Sequence, residues 1–325
     1  MTAPIMPIVA PTIEKVLEAR ERIRAHVVRT PLIPLAGEHG NKKIFLKPEN
    51  LQPFGSFKVR AAMNAIKSAE EEALSLGVVT ASAGNFGQGL AAAARALGVP
   101  SKTFVPQNAA DIKVEALERL ASTVKRIPYE DWWHILNSHE VPEEGGLFIH
   151  PCAEQKVVEG NATIGLEIME DLPEVDAVLV PVGGGGLITG IGSAIHNMKP
   201  DVKIIASESE VSQPVAAALK EGKPVMVPRK PTFIDGMGGP MVLERMWPLL
   251  REVVSQTALS SIEEIVGGIR FLALEHHLIA EGAGAAPVAA ALAGQGGTGN
   301  IVCIISGGNI DVSHLRTILG GEMPG

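Results

Sequence analysis

An α/β fold built on parallel βαβ units is what the sequence predicts, and three observations lead there. Short apolar runs of strand length alternate repeatedly with longer stretches of helical pattern. Three of those runs lead straight into Gly- or Ser-rich loops that open helices, and in such sheets ligands collect at these strand exits. The composition agrees: the 325 residues are 46% hydrophobic but only 4% aromatic, with 35 Gly and 23 Pro, which suits an α/β enzyme better than a β-sandwich or a disordered chain. The length fits one large or two moderate domains.

The elements follow in chain order. A helical pattern covers residues 13–24 and the first apolar strand covers 44–47. The turn Gly55-Ser56 then opens a run of good helix formers (Ala61, Ala62, Met63, Ala65), so a helix is expected over 57–76 with Ser56 as its N-cap. Strand 78–81 exits through Ser82-Ala83-Gly84-Asn85-Phe86-Gly87-Gln88-Gly89 into helix 87–97. Strand 102–105, helix 112–120 and strand 123–127 continue the alternation, and a helix is expected over 157–171. The uncharged stretches 177–198 and 282–310 are long enough to raise a membrane span, but their glycines and Pro181 and Pro287 argue against it. They divide instead into strand, loop and helix, giving strand 177–181, helix 189–197 and strand 301–306, with strand 203–208 between.

A formal charge of −8 without a basic cluster argues against a nucleic-acid partner. The two cysteines, Cys152 and Cys303, are far apart and show no zinc-type spacing, which fits a reducing cytoplasm. Residues 1–12 hold three prolines and no positive charge, unlike a signal peptide.

Four features carry chemistry. Lys58 follows a Gly- and Ser-rich turn at a helix start, where the positive helix end disfavours an ammonium and favours the neutral amine that Schiff-base chemistry needs. Gly183 to Gly186 join a strand to a helix and let backbone N–H groups approach a phosphate; four glycines in a row exceed what packing asks. The Ser82–Gly89 loop offers a hydroxyl, an amide and open N–H groups to a carboxylate or ring hydroxyl, and Ser306 offers a hydroxyl at a strand end. Together they fit pyridoxal 5'-phosphate (PLP). The glycines also leave open a dinucleotide site: GxGxxG is absent, but Gly184, Gly186 and Gly190 form a looser pattern, with Glu208 placed as a ribose-binding acid.

At this point the chain resembles the serine/threonine dehydratases and serine racemases among the fold-type II, tryptophan-synthase-β-like PLP enzymes. The resemblance runs through Arg29-Thr30-Pro31-Leu32, Lys47-Pro48-Glu49-Asn50-Leu51-Gln52, Gly55-Ser56-Phe57-Lys58-Val59-Arg60 and Ser82-Ala83-Gly84-Asn85. It continues through His150-Pro151, Gly165-Leu166-Glu167-Ile168, Gly183 to Leu187, Asp235-Gly236, Glu281 and Ser306-Gly307-Gly308-Asn309. It implies two open twisted, mostly parallel α/β domains with the cofactor in the cleft between them. The large PLP-binding domain would be residues 1–48 and 152–325, and the small domain 49–151.

The resemblance also implies roles. Lys58 would be the Schiff-base lysine with Phe57 beside the cofactor. Asn85 would bond the ring hydroxyl, Gly183, Gly184, Gly185, Gly186 and Leu187 the phosphate, and Ser306 the ring nitrogen. Ser82, Ala83, Gly84, Asn85 and Phe86 would hold the substrate carboxylate, with Ser82 also catalytic. A homodimer acting on a small-molecule amino-acid substrate is implied, with no nucleic acid and no membrane.

The departures are informative. Serine racemases carry a second serine, acting as the opposite-face acid/base, where this chain has Ala83, so elimination is favoured over racemisation. Ala61 replaces the usual glycine after the lysine-arginine motif. Phe86 replaces a common histidine, and Pro214 replaces an aspartate near the divalent-cation site of some relatives, so no metal is expected. The long C-terminal regulatory region of biosynthetic threonine dehydratases is not expected in a chain of this length. The scarce aromatics Tyr129, Trp132 and Trp133 cluster where relatives have the active-site mouth; with Phe86 they suggest a bulky substrate such as L-threo-3-phenylserine, Trp133 contacting it. The alternatives are an L-threonine/L-serine dehydratase, then a racemase. Outside this class stand a nicotinamide-dependent oxidoreductase and a non-catalytic amino-acid-binding regulator.

Overall fold

The structure, a computed structural model, describes residues 7–141, 145–234 and 236–324. Asp235, quoted for the resemblance, lies outside the described residues, as do residues 1–6 of the N-terminal stretch.

The chain runs α1 (Ile13–Ile23), β1 (Ile33–Pro34), β2 (Lys42–Lys47), α2 (Lys58–Lys67), α3 (Glu71–Leu74), β3 (Val78–Ala81) and α4 (Asn85–Ala96). Then come β4 (Ser101–Pro106), α5 (Asp111–Arg119), β5 (Ser122–Ile127), α6 (Tyr129–Ser138), β6 (Leu147–Phe148) and α7 (Gln155–Asp171). The rest is β7 (Ala177–Pro181), α8 (Gly186–Met198), β8 (Lys203–Ser209), α9 (Pro214–Glu221), α10 (Trp247–Val253), β9 (Gln256–Ser260), α11 (Ile262–Glu275), α12 (Gly282–Leu292), β10 (Gly299–Ile304) and α13 (Val312–Leu319).

Among the described residues these strands form two sheets. One has six strands in the order β1-β2-β10-β7-β8-β9, and the other has four in the order β5-β4-β3-β6. Every pairing is parallel except β1 with β2. A sheet covered on both faces needs continuous apolar strands. Along β10, Val302 and Ile304 join the core on one face and Ile301 and Cys303 that on the other. Along β8, Ile204 and Ala206 face the first core and Ile205 the second.

The expected α/β architecture with mostly parallel sheets is what the chain adopts. Two of the expected strands, 78–81 and 177–181, have the bounds expected. Four differences have physical reasons. The helix expected over 57–76 breaks after Lys67, where Ser68 Oγ bonds back to Asn64 O at 2.6 Å and competes with the helix ladder. The strand expected over 301–306 ends at Ile304, because the next residues turn to other partners: Ile305 O accepts from Asn50 N–H, and Ser306 O from Phe57 N–H. Helices α4 and α8 start earlier than expected, at Asn85 and Gly186, so their first turns include loop residues. Ser56 is not the N-cap of α2: that position is Phe57, and Ser56 instead forms an antiparallel bridge with Gly307.

Helix α2 sits between α4 and α7 at short range. A Cβ on Gly89 of α4 would lie 3.2 Å from Lys58 Cβ, and one on Gly160 of α7 would lie 2.7 Å from Arg60 O. The helix carrying Lys58 is thereby held from both sides.

Candidate active site

Lys58 is the first residue of α2, and its Nζ donates to Pro151 O at 3.1 Å. The amine lies 4.8 Å from the centre of the Phe57 ring and 5.4 Å from that of Phe86. Burial pushes its pKa below the usual lysine value, and the charge on Glu281 opposes that push. Desolvation therefore favours the neutral amine.

Four loops are stitched together next to this lysine. Phe57 N–H donates to Ser306 O at 3.1 Å, Gly308 N–H to Gly55 O at 2.9 Å, and Glu281 N–H to Gly307 O at 3.0 Å. Asn85 Nδ2 donates to Glu281 Oε1 at 2.7 Å, while Asn309 Nδ2 donates to Asn85 Oδ1 at 2.8 Å and to Phe54 O at 3.0 Å. Lys58, Asn85 and Ser306, far apart in sequence, are thus gathered into one junction. Glu281 and Asn309 have no role in the sequence reading, and their long-range bonds carry no local signal.

The glycine loop leads from β7 into α8. Gly185 is the N-cap residue, at φ +89°, and no side chain caps the helix. The first-turn N–H groups of a 13-residue helix are thereby left for an anion. The other three glycines each meet a close neighbour. A Cβ on Gly183 would lie 2.7 Å from Gly236 O, one on Gly184 would overlap Cys152 Sγ, and one on Gly186 would lie 2.7 Å from Cys152 O. Packing and backbone geometry therefore account for every glycine of the run, contrary to the expectation that four exceed packing needs. The loop still presents no side chain at the uncapped start of α8.

His150 builds the wall opposite. Its Nδ1 accepts from Cys152 N–H at 3.1 Å and Ala153 N–H at 2.7 Å, so Nε2 carries the proton and donates to Leu136 O at 3.0 Å. Burial, with the nearby His139 and Arg245, pushes its pKa down to about 3. The ring is neutral and fixes the turn that aims Pro151 O at Lys58 and Cys152 at the glycine loop. Burial raises the Cys152 thiol to about 11, so it packs as an uncharged group.

The loop after β3 offers a second helix start, with Gly84 as the N-cap of α4, no side-chain cap, and open space at its Cα. Ser82 N–H is tied to Phe104 O, and the Ala83 side chain packs with Val105, Val114 and Leu117. Phe86 is 2% exposed and belongs to a core with Ala61, Leu90 and Val157, so its ring is core rather than an open pocket wall. Trp132 and Trp133 pack with Val79, Ala81 and Phe104, on the sheet face opposite the one Val78 shares with α2 and α4. Tyr129 is 48% exposed at the start of α6. Of these aromatics, Phe86 lies beside the lysine, its ring centre 5.4 Å from Lys58 Nζ, while Trp132 and Trp133 pack against the four-stranded sheet.

Below α2 lies a buried charge network that the sequence reading left without a role. Arg60 bonds Glu49 at 2.8 and 2.9 Å and Glu167 at 2.6 and 3.0 Å, both through paired contacts, and also Val28 O and Thr163 Oγ1. Lys47 Nζ donates to Glu167 and Thr30 O, each at 2.6 Å, and Thr30 Oγ1 to Glu49 at 2.7 Å. Two cations balance two anions, with the donors and acceptors matched.

Glu208 does not face a ribose site. Its two oxygens accept from Val215 N–H at 2.7 Å and Ala216 N–H at 2.9 Å, capping α9, whose first residue is Pro214. Burial raises its pKa to about 7 against those two bonds. With both oxygens committed, the dinucleotide alternative loses its acid.

Known proteins bear out the resemblance. Residues 23–307 match the family described as pyridoxal-phosphate dependent enzyme. The chain belongs to that family. It is 40% identical to an L-threonine ammonia-lyase of Geobacter sulfurreducens, over 93% of this chain and 76% of that protein. It is 37% identical to a catabolic L-threonine dehydratase of Escherichia coli, over 95% and 96% of the two chains. A maize serine racemase superposes with a TM-score of 0.87 at 30% identity, covering 96% of this chain and 98% of that one. This PLP enzyme therefore falls in the fold-type II serine/threonine dehydratase group, and is a deaminating lyase. The residues present fit the cofactor: a desolvated amine, an uncapped helix start behind a bare loop, and an amide with one N–H uncommitted. Among the described residues no helix is long and apolar enough to cross a membrane, and no cluster of His, Cys, Asp or Glu could hold a metal.

Proposed function

We propose that this PLP enzyme is a dehydratase of small 3-hydroxy amino acids, L-threonine or L-serine, giving a 2-keto acid and ammonia. The observation that carries the reading is the junction of Lys58, Asn85 and Ser306 beside the uncapped start of α8. The names of the bacterial relatives support threonine rather than a bulky aromatic substrate.

Bound PLP supplies an aldehyde that captures an amine and a ring that withdraws electrons from Cα. The chain's own residues do the rest. Gly183 to Leu187 bind the phosphate through backbone N–H groups, Asn85 donates to the ring hydroxyl oxygen, and the Ser306 hydroxyl meets the ring nitrogen. Phe57 packs beside the ring. The open N–H groups at the start of α4, behind Gly84, would bind the substrate carboxylate, with the Ser82 hydroxyl beside them. Lys58 would hold the cofactor through its amine, and the same neutral amine would be placed to take a proton from the substrate Cα. Loss of the β-hydroxyl as water leaves an enamine, which hydrolyses to the keto acid and ammonium. Ala83 provides no acid or base on the opposite face, so proton return there is absent and elimination is the outcome. A large domain, residues 1–48 and 152–325, and a small domain, 49–151, are the two walls of this cleft.

Steady-state rates of keto-acid formation on L-threonine, L-serine and L-threo-3-phenylserine test the proposal. A higher kcat/KM on threonine or serine supports it; a higher value on phenylserine refutes it.

A further inference from the structure

Glu281 is an unusual residue for its position. It occupies the N-cap of α12, where Ser, Thr, Asp or Asn is preferred, and its side chain makes no capping bond to that helix. The carboxylate, 6% exposed, turns instead to Asn85 Nδ2 at 2.7 Å. Gly307 makes room for this contact, since a Cβ there would overlap Glu281 Oε1 and lie 3.1 Å from Asn85 Nδ2.

The bonds around Asn85 fix which way its amide faces. Phe54 O can only accept, so Asn309 must turn its Nδ2 toward that carbonyl at 3.0 Å. The same Nδ2 also donates to Asn85 Oδ1 at 2.8 Å. Asn85 then has its NH2 to offer Glu281, whose Oε1 accepts. A flipped amide would set donor against donor at Asn309 and acceptor against acceptor at Glu281. One N–H of Asn85 is consumed by Glu281 and one remains.

We propose that Glu281 is a positioning residue for the cofactor: it locks the Asn85 amide so that the remaining N–H is presented to the phenolic oxygen of PLP. This deepens the proposed function and rests on its assignment of Asn85 to that oxygen. Asn85 belongs to α4, beside the four-stranded sheet, whereas Glu281 and Asn309 flank α12 and β10 of the six-stranded side. The lock therefore also ties one wall of the cleft to the other.

The test is the equilibrium affinity of cofactor-free protein for PLP, read by absorbance, with circular dichroism confirming the fold of each variant. Loss of an oriented bond to a charged acceptor is expected to weaken PLP about tenfold in Glu281→Ala. Asn85→Ala is expected to weaken it at least as much, and the double variant to bind within about threefold of Asn85→Ala alone. Glu281→Gln, which keeps an acceptor, should fall between wild type and Glu281→Ala. Where alanine unfolds the protein, Glu281→Leu, of similar size but without an acceptor, carries the same cycle. Wild-type affinity in the Glu281 variants, or losses that multiply in the double variant, overturns the positioning role while leaving the proposed function standing. Wild-type affinity in Asn85→Ala overturns the assignment of Asn85 and this proposal with it.

Discussion

Lys58 and Arg60 stand two residues apart on α2 and serve opposite electrostatic ends. Lys58 is desolvated without a bonded carboxylate, which lowers its pKa and keeps its amine nucleophilic. Arg60 is buried between two carboxylates and stays charged. Replacing Lys58 with Ala should cut keto-acid formation by about a thousandfold or more and remove the visible absorbance of lysine-bound cofactor; retained turnover would refute its role. Arg60→Met leaves Glu49 and Glu167 buried without their main partner and should cost about 3–5 kcal/mol of stability. The shift of the urea midpoint measures it, and a change under 1 kcal/mol would show the network to be dispensable. Lys58, Asn85 and Ser306 are legible in the sequence because each follows a recognisable turn or strand exit. Thr30, Glu49, Arg60 and Glu167 stand out in the sequence only as motif letters, since the 107-residue separation of Arg60 from Glu167 gives no local clue that they pair.

At the scale of elements, the loop before α8 and the turn after His150 are complementary surfaces. A methyl group on Gly184 would overlap Cys152 Sγ, so Gly184→Ala should weaken PLP binding by displacing one surface from the other. Adding Cys152→Gly should recover part of the affinity, and absence of any recovery would show that the clash lies elsewhere. The buried strands β3 and β7 are legible because a fully covered parallel strand is a continuous apolar run. Strand β9 is not, because its alternating burial and its Gln256, Thr257 and Ser260 resemble a polar connection. Helix α12 carries Pro287 inside it, which reads as a break. The setting of the aromatic cluster is not legible for a different reason. Composition shows that Tyr129, Trp132 and Trp133 are close in sequence, but only the path of α6 over the four-stranded sheet shows which face they cover.

For the whole molecule, the two sheets meet along loops whose stability depends on a histidine kept neutral. His150 titrates at about 3 when folded, against 6.5 as its ordinary value. The unfolded chain therefore binds more protons in that interval, and the contribution of His150, complete above pH 6.5, is lost as pH falls toward 3. His139, stacked on it at 4.4 Å and lowered to about 4, adds in the same sense. Urea midpoints taken at falling pH should drop below pH 6.5, and His150→Asn should be less stable at pH 8 yet lose less on acidification. An equal loss in both proteins would place the acid sensitivity elsewhere. The central claim is that one lysine in this junction holds PLP, and borohydride reduction of the holoenzyme followed by peptide mass spectrometry tests it most directly. A pyridoxyl group on Lys58 is the predicted result, and one on any other lysine, or on none, would contradict it.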